Sequence, residues 1–266
     1  MIDTFYKYAG DVVLYTLGGI ILLFLLLPSV LIVPMSFSST NFLQFPPIGF
    51  STRWYLAYFS DAGWIDATWF SVQVAVLVTI ASTVIGTMAA IALVRGDVPG
   101  QNALGAVLLA PLIVPHVIVA IAVYFQFAPL GLNGTRLGFL LIHTALAVPY
   151  VVLVVTAALQ RLPQSYEMAA LNLGASRLRC FQKITLPLIA PGIAAGAVFA
   201  FLASFDETVV SFFISGVENK TITRKLMEDI EFNLSPLIAA ASTIFVAATV
   251  LLMWAGNLAK GTTRGT

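Results

Sequence analysis

The sequence is dominated by long apolar segments that recur from one end to the other. A helix needs roughly 20 apolar residues to cross a bilayer core about 30 Å thick. Six segments meet that requirement, at 12–35, 69–94, 103–129, 137–159, 184–214 and 236–258. Only 9% of the 266 residues are charged, whereas soluble domains carry about 25%. The sequence therefore predicts an all-α integral membrane protein with six transmembrane helices in one domain covering 1–266.

Other broad classes fit poorly. The first apolar segment is longer than the apolar core of a secretory leader and lacks a small-residue cleavage site, which favours a retained span. The one cysteine, Cys180, excludes an internal disulfide framework. A net charge of +1 argues against nucleic acid as a partner.

Prolines and small residues inside the spans predict a packed helical bundle. Prolines occur in the third, fourth and fifth segments, where neighbouring helices must satisfy the carbonyls that they free. Small residues recur at helical spacing in the second segment, which permits close approach of helices. They are Ser82, Gly86, Ala89 and Ala90.

Basic residues predict the topology. With the N-terminus inside, the inner face carries eight lysines and arginines, namely Lys7, Arg95, Arg161, Arg177, Arg179, Lys183, Lys260 and Arg264. The outer face carries five, namely Arg53, Arg136, Lys220, Arg224 and Lys225. The positive-inside rule then places both termini in the cytoplasm. The Trp- and Tyr-rich segment from Phe50 to Trp69 lies outside on this topology and predicts a helix at the membrane interface.

Residues 161–183, here named the elbow, interrupt the apolar pattern between the fourth and fifth spans. Pro163 can start a short helix with Glu167 in its early turns, and Gly174 can end it in the left-handed conformation. Ser176 can cap a second, amphipathic helix. Pro187 suits the first turn of the next span. These signals predict a helix–glycine–helix segment that either positions the two spans or docks a soluble partner.

The elbow resembles the EAA loop of the membrane-spanning subunits of bacterial ABC importers that depend on a binding protein. That motif reads Glu-Ala-Ala, three residues, Gly, nine residues, Ile-x-Leu-Pro. Gly174 is followed after nine residues by Ile184-Thr185-Leu186-Pro187, and the run Leu173-Gly174-Ala175-Ser176 also matches the family. Counting back from Gly174, Ala169 and Ala170 take the two alanine positions and Met168 takes the Glu position. Glu167 precedes it by one residue, about 100° round a helix.

The resemblance implies a type I ABC importer permease fold, in which the elbow is a coupling helix that docks on an ATPase subunit. The chain contains no G-x-x-x-x-G-K-[ST] loop, so we expect ATP and Mg to bind a separate ATPase dimer. We also expect a second permease, forming a heterodimer rather than a homodimer, and a periplasmic solute-binding protein. The location implied is the bacterial inner membrane, and we expect alternating access without catalysis by this chain.

Asp206 and Glu207 are the acidic pair within a predicted span, in the stretch Ser204-Phe205-Asp206-Glu207. The six spans, the outer Trp- and Tyr-rich segment and the stretch from Ser204 to Gly216 resemble the second permease of spermidine/putrescine systems, which implies transport of a polyamine or a related small organic solute. Carboxylates at such depth are costly, so a functional role is the default expectation. Two roles remain open for this pair. It either attracts a cationic solute or braces an outer gate by pairing with Arg224 or Lys225.

Three other functions fit the sequence less well. His116 and His143 lie on separate spans and suit local hydrogen bonding better than a proton relay. A self-contained secondary transporter or channel is the alternative to the importer, but the two halves show no evident internal repeat. An intramembrane enzyme lacks support because there is no metal-ligand motif or Ser/His spacing that suggests catalysis.

Overall fold

A computed structural model describes residues 2–97 and 99–262 of the chain, with side chains described over 11–97 and 99–251. Its helices are α1 (Ile2–Ser36), α2 (Arg53–Ser60), α3 (Ala62–Arg95), α4 (Gln101–Leu109), α5 (His116–Phe127), α6 (Arg136–Arg161), α7 (Gln164–Asn172), α8 (Arg177–Cys180), α9 (Leu186–Phe205), α10 (Val209–Ile214), α11 (Ile222–Phe232) and α12 (Pro236–Thr262). Within the described ranges, the extended pairing is limited to one isolated bridge, Ser38 with Phe50. The predicted all-α class is confirmed.

Among the residues that the structure describes, four helical stretches are long and apolar enough to cross a membrane. They are Asp11–Ser36, Ala62–Arg95, Arg136–Arg161 and Arg177–Phe205, and a bent pair of helices would make a fifth. In α12 the apolar stretch with described side chains is Pro236–Leu251, so residues 252–258 of the sixth predicted span lie outside it. The count of six spans stays a prediction.

The third predicted span, 103–129, is two helices instead of one. Gln101–Leu112 and His116–Phe127 meet at an angle of 95°. Pro111 lies in the 3₁₀ turn Ala110–Leu112, and Pro115 occupies the N-cap position of α5. Proline lacks an N–H and clashes with the preceding turn, so two prolines this close explain why the helix does not continue.

The fifth predicted span, 184–214, is also interrupted. The helix leaves α8 through a π-helical turn, Phe181–Thr185, and runs on as α9 with Pro187 in its first turn. It stops at Phe205, and α10 begins at Val209. The residues Asp206–Thr208, here named the break, separate the two helices.

The chain forms two compact units, and one of them comprises Asp66–Lys225. Helix α6 is the central element of this unit, with twelve buried residues along its length. Close approach to α6 depends on small residues, because a Cβ on Gly86 would lie 2.7 Å from Val151 Cβ and one on Gly192 would lie 2.5 Å from Ala158 Cβ. The packing role expected of Gly86 agrees with this geometry.

The other unit comprises Met1–Ile65 with Leu226–Thr266. In it α12 packs against both α1 and α2. The Trp- and Tyr-rich segment divides into α2 and the start of α3, where Tyr58 and Trp64 are buried. These two rings are therefore part of the packed protein, and the position of the segment at the membrane interface stays a prediction.

Two glycines bring loops together at one end of the larger unit. Gly134, with φ +73°, donates its N–H to the carbonyl of Ile214 at 2.7 Å. A Cβ on Gly134 would lie 3.0 Å from the Cα of Gly216. The loop before α6 and the loop after α10 therefore touch backbone to backbone.

Candidate functional site

The elbow has the capping pattern that its sequence predicts. Pro163 precedes α7, and Gly174 follows it with φ +88°. The N–H of Gly174 bonds the carbonyl of Leu171, and that of Ala175 bonds the carbonyl of Ala170, which together make a Schellman motif. Ser176 Oγ accepts from Arg179 N at 3.3 Å and caps α8. The sequence predicted a short second helix followed by a new helix for the fifth span. In the structure α8 instead continues through the π turn directly into α9.

The surface of the elbow is apolar and exposed. Helix α7 buries none of its residues. Met168 is 57% exposed, Leu173 89% and Leu178 65%. Ala169 is exposed as well, whereas Ala170 and Ala175 are half-buried. Leu186 and Pro187 begin α9 and are exposed. An apolar patch of this kind marks an interaction surface.

Glu167 lies on the side of α7 that faces the span ends. Its Oε2 is 2.9 Å from Nε of Arg95, the last residue of α3. Its Oε1 accepts a hydrogen bond from Thr185 Oγ1 at 2.7 Å. The one-residue displacement from the family position therefore directs this carboxylate into its own chain.

Arg95 extends that arrangement to α6. Its Nη2 donates to the carbonyls of Leu159 at 3.1 Å and Leu162 at 2.8 Å, where α6 ends. A cation at a helix C-terminus suits the helix dipole. Neither Arg95 nor Thr185 was expected to be a site residue. The sequence signal for Arg95 is its place as a basic residue at the end of the second predicted span. That place predicted only which side of the membrane it lies on.

At the break, Glu207 is buried and both of its carboxylate oxygens have partners. Oε2 lies 2.9 Å from His116 Nδ1 at the start of α5, and Oε1 accepts from Val210 N at 2.9 Å, which caps α10. These contacts are with His116 and Val210, whereas pairing with Arg224 or Lys225 was one of the two roles left open for the acidic pair. The guanidinium of Arg224 instead lies over the ring of Phe212, 3.8 Å from its centroid. The contact of His116 with Glu207 joins the two interrupted spans.

His143 on α6 bridges the two sides of the break. Its Nδ1 lies 3.0 Å from Ser204 Oγ on α9, and its Nε2 lies 3.2 Å from Ser211 Oγ on α10. All three side chains are buried. Ser204 thus belongs to an internal polar contact, and each histidine contacts side chains outside its own helix.

Asp206 is exposed beside a cleft of about 660 Å³ in the same unit. The cleft is lined by Asp206, Glu207, His116 and Tyr150, with the rings of Phe199 and Phe205. Phe205 also stacks on Phe201 with ring centroids 5.7 Å apart. Carboxylates among aromatic faces suit a cation. Within the described residues, no group of three or more His, Cys, Asp or Glu side chains is placed to hold a metal ion.

This architecture is that of an ABC importer permease. The fold aligns with a bacterial ABC transporter involved in the import of the acidic polysaccharide alginate, with a TM-score of 0.71, 18% identity, and coverage of 94% of this chain and 95% of that one. Residues 82–264 match the family described as binding-protein-dependent transport system inner membrane component. The chain belongs to this family of transport permeases.

The relatives of the chain are permeases that are named for different solutes. The putrescine transport system permease protein PotI of Escherichia coli K12 is 33% identical over 232 residues, covering 85% of this chain and 82% of PotI. The spermidine/putrescine transport system permease protein PotC of the same strain is 30% identical over 244 residues, covering 91% and 92%. The diacetylchitobiose uptake system permease protein NgcG of Streptomyces coelicolor is 29% identical over 261 residues, covering 88% and 85%. The chain is thus homologous to polyamine ABC permeases.

Proposed function

We propose that this chain is one of two pore-forming subunits of an ATP-driven importer in a bacterial inner membrane. A binding protein delivers a small organic solute, the spans alternate their access, and a separate ATPase dimer hydrolyses ATP with Mg. The second permease is a different chain, which gives a heterodimer. Both termini lie in the cytoplasm, as the eight basic residues against five support.

The observation that carries this proposal is the elbow. Its apolar side chains are exposed on a segment whose backbone is fixed by a Schellman motif and by the Ser176 cap. Helix α7 has no buried residue, so its own chain does not cover these apolar side chains. A groove on an ATPase subunit would bury it, and the family resemblance of the elbow supports that partner.

The solute is a polyamine or a related small cation. The cleft at the break offers the exposed carboxylate of Asp206 next to the rings of Tyr150, Phe199 and Phe205. Glu207, whose carboxylate is committed to His116 and Val210, braces the break. The relatives PotI and PotC, named as putrescine and spermidine/putrescine permeases, support the same class.

The test is a pull-down from native membranes with this chain as bait, comparing wild type with Gly174→Asp by mass spectrometry. The substitution strains a residue at φ +88° and adds a charge on the exposed elbow. We expect an ATPase and a second permease with the wild type and loss of most of the ATPase from the variant.

A matched control is Gly100→Asp, since Gly100 has φ +75° and, as at Gly174, an added Cβ would meet no atom within 4 Å. It should retain the ATPase. A wild-type chain that brings no ATPase under mild detergent would overturn the importer proposal in favour of a self-contained transporter. Equal loss from both variants would remove the elbow as the docking surface.

A further inference from the structure

Three side chains tie the elbow to the ends of three membrane helices. Glu167 on α7 contacts Arg95 at the end of α3 and Thr185 in the π turn that leads into α9. Arg95 in turn holds the carbonyls of Leu159 and Leu162 at the end of α6. We name these side chains the Arg95–Glu167–Thr185 network.

Polar contacts of Glu167 connect α7 to the ends of the membrane helices. Helix α7 contributes no buried residue, and a cavity of about 510 Å³ lies beside it, lined by residues of α3, α7, α8 and the π turn. The side chains of Arg95 and Glu167 are only 16% and 17% exposed. An ion pair enclosed to this degree, whose carboxylate also accepts a hydrogen bond from Thr185, is stronger than a surface pair.

We propose that Glu167 is a positioning residue that makes α7 move together with the ends of α3, α6 and α9. This inference rests on the proposed function, because it takes the ATPase as the source of the movement. The ATPase docks on the exposed face with Met168 and Leu173, while Glu167 faces inward and passes the displacement to the spans. The carboxylate therefore transmits the movement and does not contribute to the docking contact.

Because docking and transmission use different faces of α7, one substitution should affect transmission without affecting docking. Glu167→Gln keeps the size of the side chain but removes the charge that faces Arg95. Because the docking face is unchanged, the ATPase should still bind. Because the tie is weakened, the elbow should separate from the span ends more often.

Cys180 supplies a native reporter of that separation. It is the one cysteine in the chain, it is buried, and its Sγ lies 3.8 Å from the backbone oxygen of Glu167. Because the thiol is 5% exposed, a maleimide should label it faster when α7 moves away. Loss of a hydrogen bond to a charged group should raise the labelling rate about tenfold through local opening.

The experiment measures Cys180 labelling and retained ATPase on the same complex, purified from membranes with this chain as bait. The variants are Glu167→Gln, Arg95→Gln and Thr185→Val, which each remove one member of the network. Thr185→Ser keeps the hydroxyl, and Arg161→Gln removes an exposed arginine at the end of α6. We expect faster labelling in the first three, wild-type rates in the last two, and wild-type amounts of ATPase in all five.

A second reporter tests the transmission itself. Thr208→Cys with Cys180→Ser places a thiol in the cleft at the break. Adding ATP with orthovanadate to the complex should change the labelling rate of this thiol in the otherwise wild-type chain. Glu167→Gln should reduce that change about tenfold, because closure of the ATPase no longer reaches the spans.

Each result either supports or overturns the inference. Loss of the ATPase from Glu167→Gln would show that the carboxylate is a docking group, and unchanged labelling of both thiols would show that it transmits nothing. In either case the ATPase would still co-purify with the wild-type chain, so the proposed function would stand. Absence of the ATPase from the wild-type complex would instead overturn the proposed function and the inference with it.

Discussion

The elbow and the break both interrupt a regular helix, and their polar groups are enclosed to different degrees. At the elbow, Arg95 and Glu167 keep about a sixth of their side-chain surface exposed. At the break, His143 is 1% exposed and Glu207 is 7% exposed. Water can replace a lost partner more readily at the elbow than around His143, so a buried polar group left without a partner beside this histidine costs more.

The polar groups of the break and those of the elbow should affect different properties, namely folding and coupling. The polar groups of the break hold α5, α6, α9 and α10 in one arrangement, and their loss should affect folding first. The polar groups of the elbow connect a helix without buried residues to the rest of the unit, and their loss should affect coupling first. A stability measurement and a coupling measurement on the same variant can therefore locate a residue in one class or the other.

The largest effect is expected for His143→Leu. The change leaves the hydroxyls of Ser204 and Ser211 without their partner in a buried site, which should cost about 2 kcal/mol or more. Thermal unfolding in detergent should occur at a lower temperature, with less protein in the membrane.

Ser215→Ala is the control for His143→Leu. Ser215 Oγ donates to the carbonyl of Ser211 within the same turn of helix, so its loss should change stability little. Equal unfolding temperatures for wild type and His143→Leu would remove the bridge as a stabilising feature of the break.

Glu207→Gln and Asp206→Asn should differ although the residues are adjacent. Glu207 is buried with two partners, so its neutralisation should cost about 1–3 kcal/mol and lower uptake through loss of folded complex. Asp206 is exposed, so its neutralisation should leave stability unchanged. It should weaken uptake of labelled putrescine and reduce the dependence of that uptake on ionic strength.

Both measurements use reconstituted complex, with unfolding followed separately from transport. If Asp206→Asn destabilises the protein as much as Glu207→Gln does, the two carboxylates share one structural role. If neither change alters uptake, the cleft is not on the pathway.

The smallest effect is expected for Met168→Glu, which places a carboxylate at the family's Glu position on the exposed face of α7. A new surface ion pair with the ATPase is worth about 0–1 kcal/mol. Retention of the ATPase should increase slightly in low salt and return to the wild-type level in high salt. Tyr166→Glu, also exposed but about 160° away round the helix, is the control. A salt-independent increase in both would argue against a specific pair.

The same comparison explains what the sequence could predict. Pro163, Gly174 and Ser176 specify the elbow through contacts with residues a few positions away, so local rules were sufficient. His143 reaches Ser204 and Ser211 across 61 and 68 residues of sequence. No local pattern encodes such distances, so the bridge at the break could not be read from residue types.

The interruptions in the third and fifth predicted spans show a related limit. Apolar content indicated where helices lie but not that Pro111 and Pro115 would turn the chain by 95°. Prolines are tolerated inside membrane helices where neighbouring groups satisfy the freed carbonyls, so tertiary packing decides whether a helix continues. The contact of Glu207 with His116 was not predictable for the same reason, because the two residues lie on spans that are distant in sequence.

The backbone contact between Gly134 and Gly216 has a practical consequence for studying the protein. An affinity tag or a fluorophore inserted in either loop would push the two backbones apart, since even a Cβ on Gly134 would lie 3.0 Å from Gly216 Cα. The loop that contains Gly100 is the better place for a label, because a Cβ there meets no atom within 4 Å.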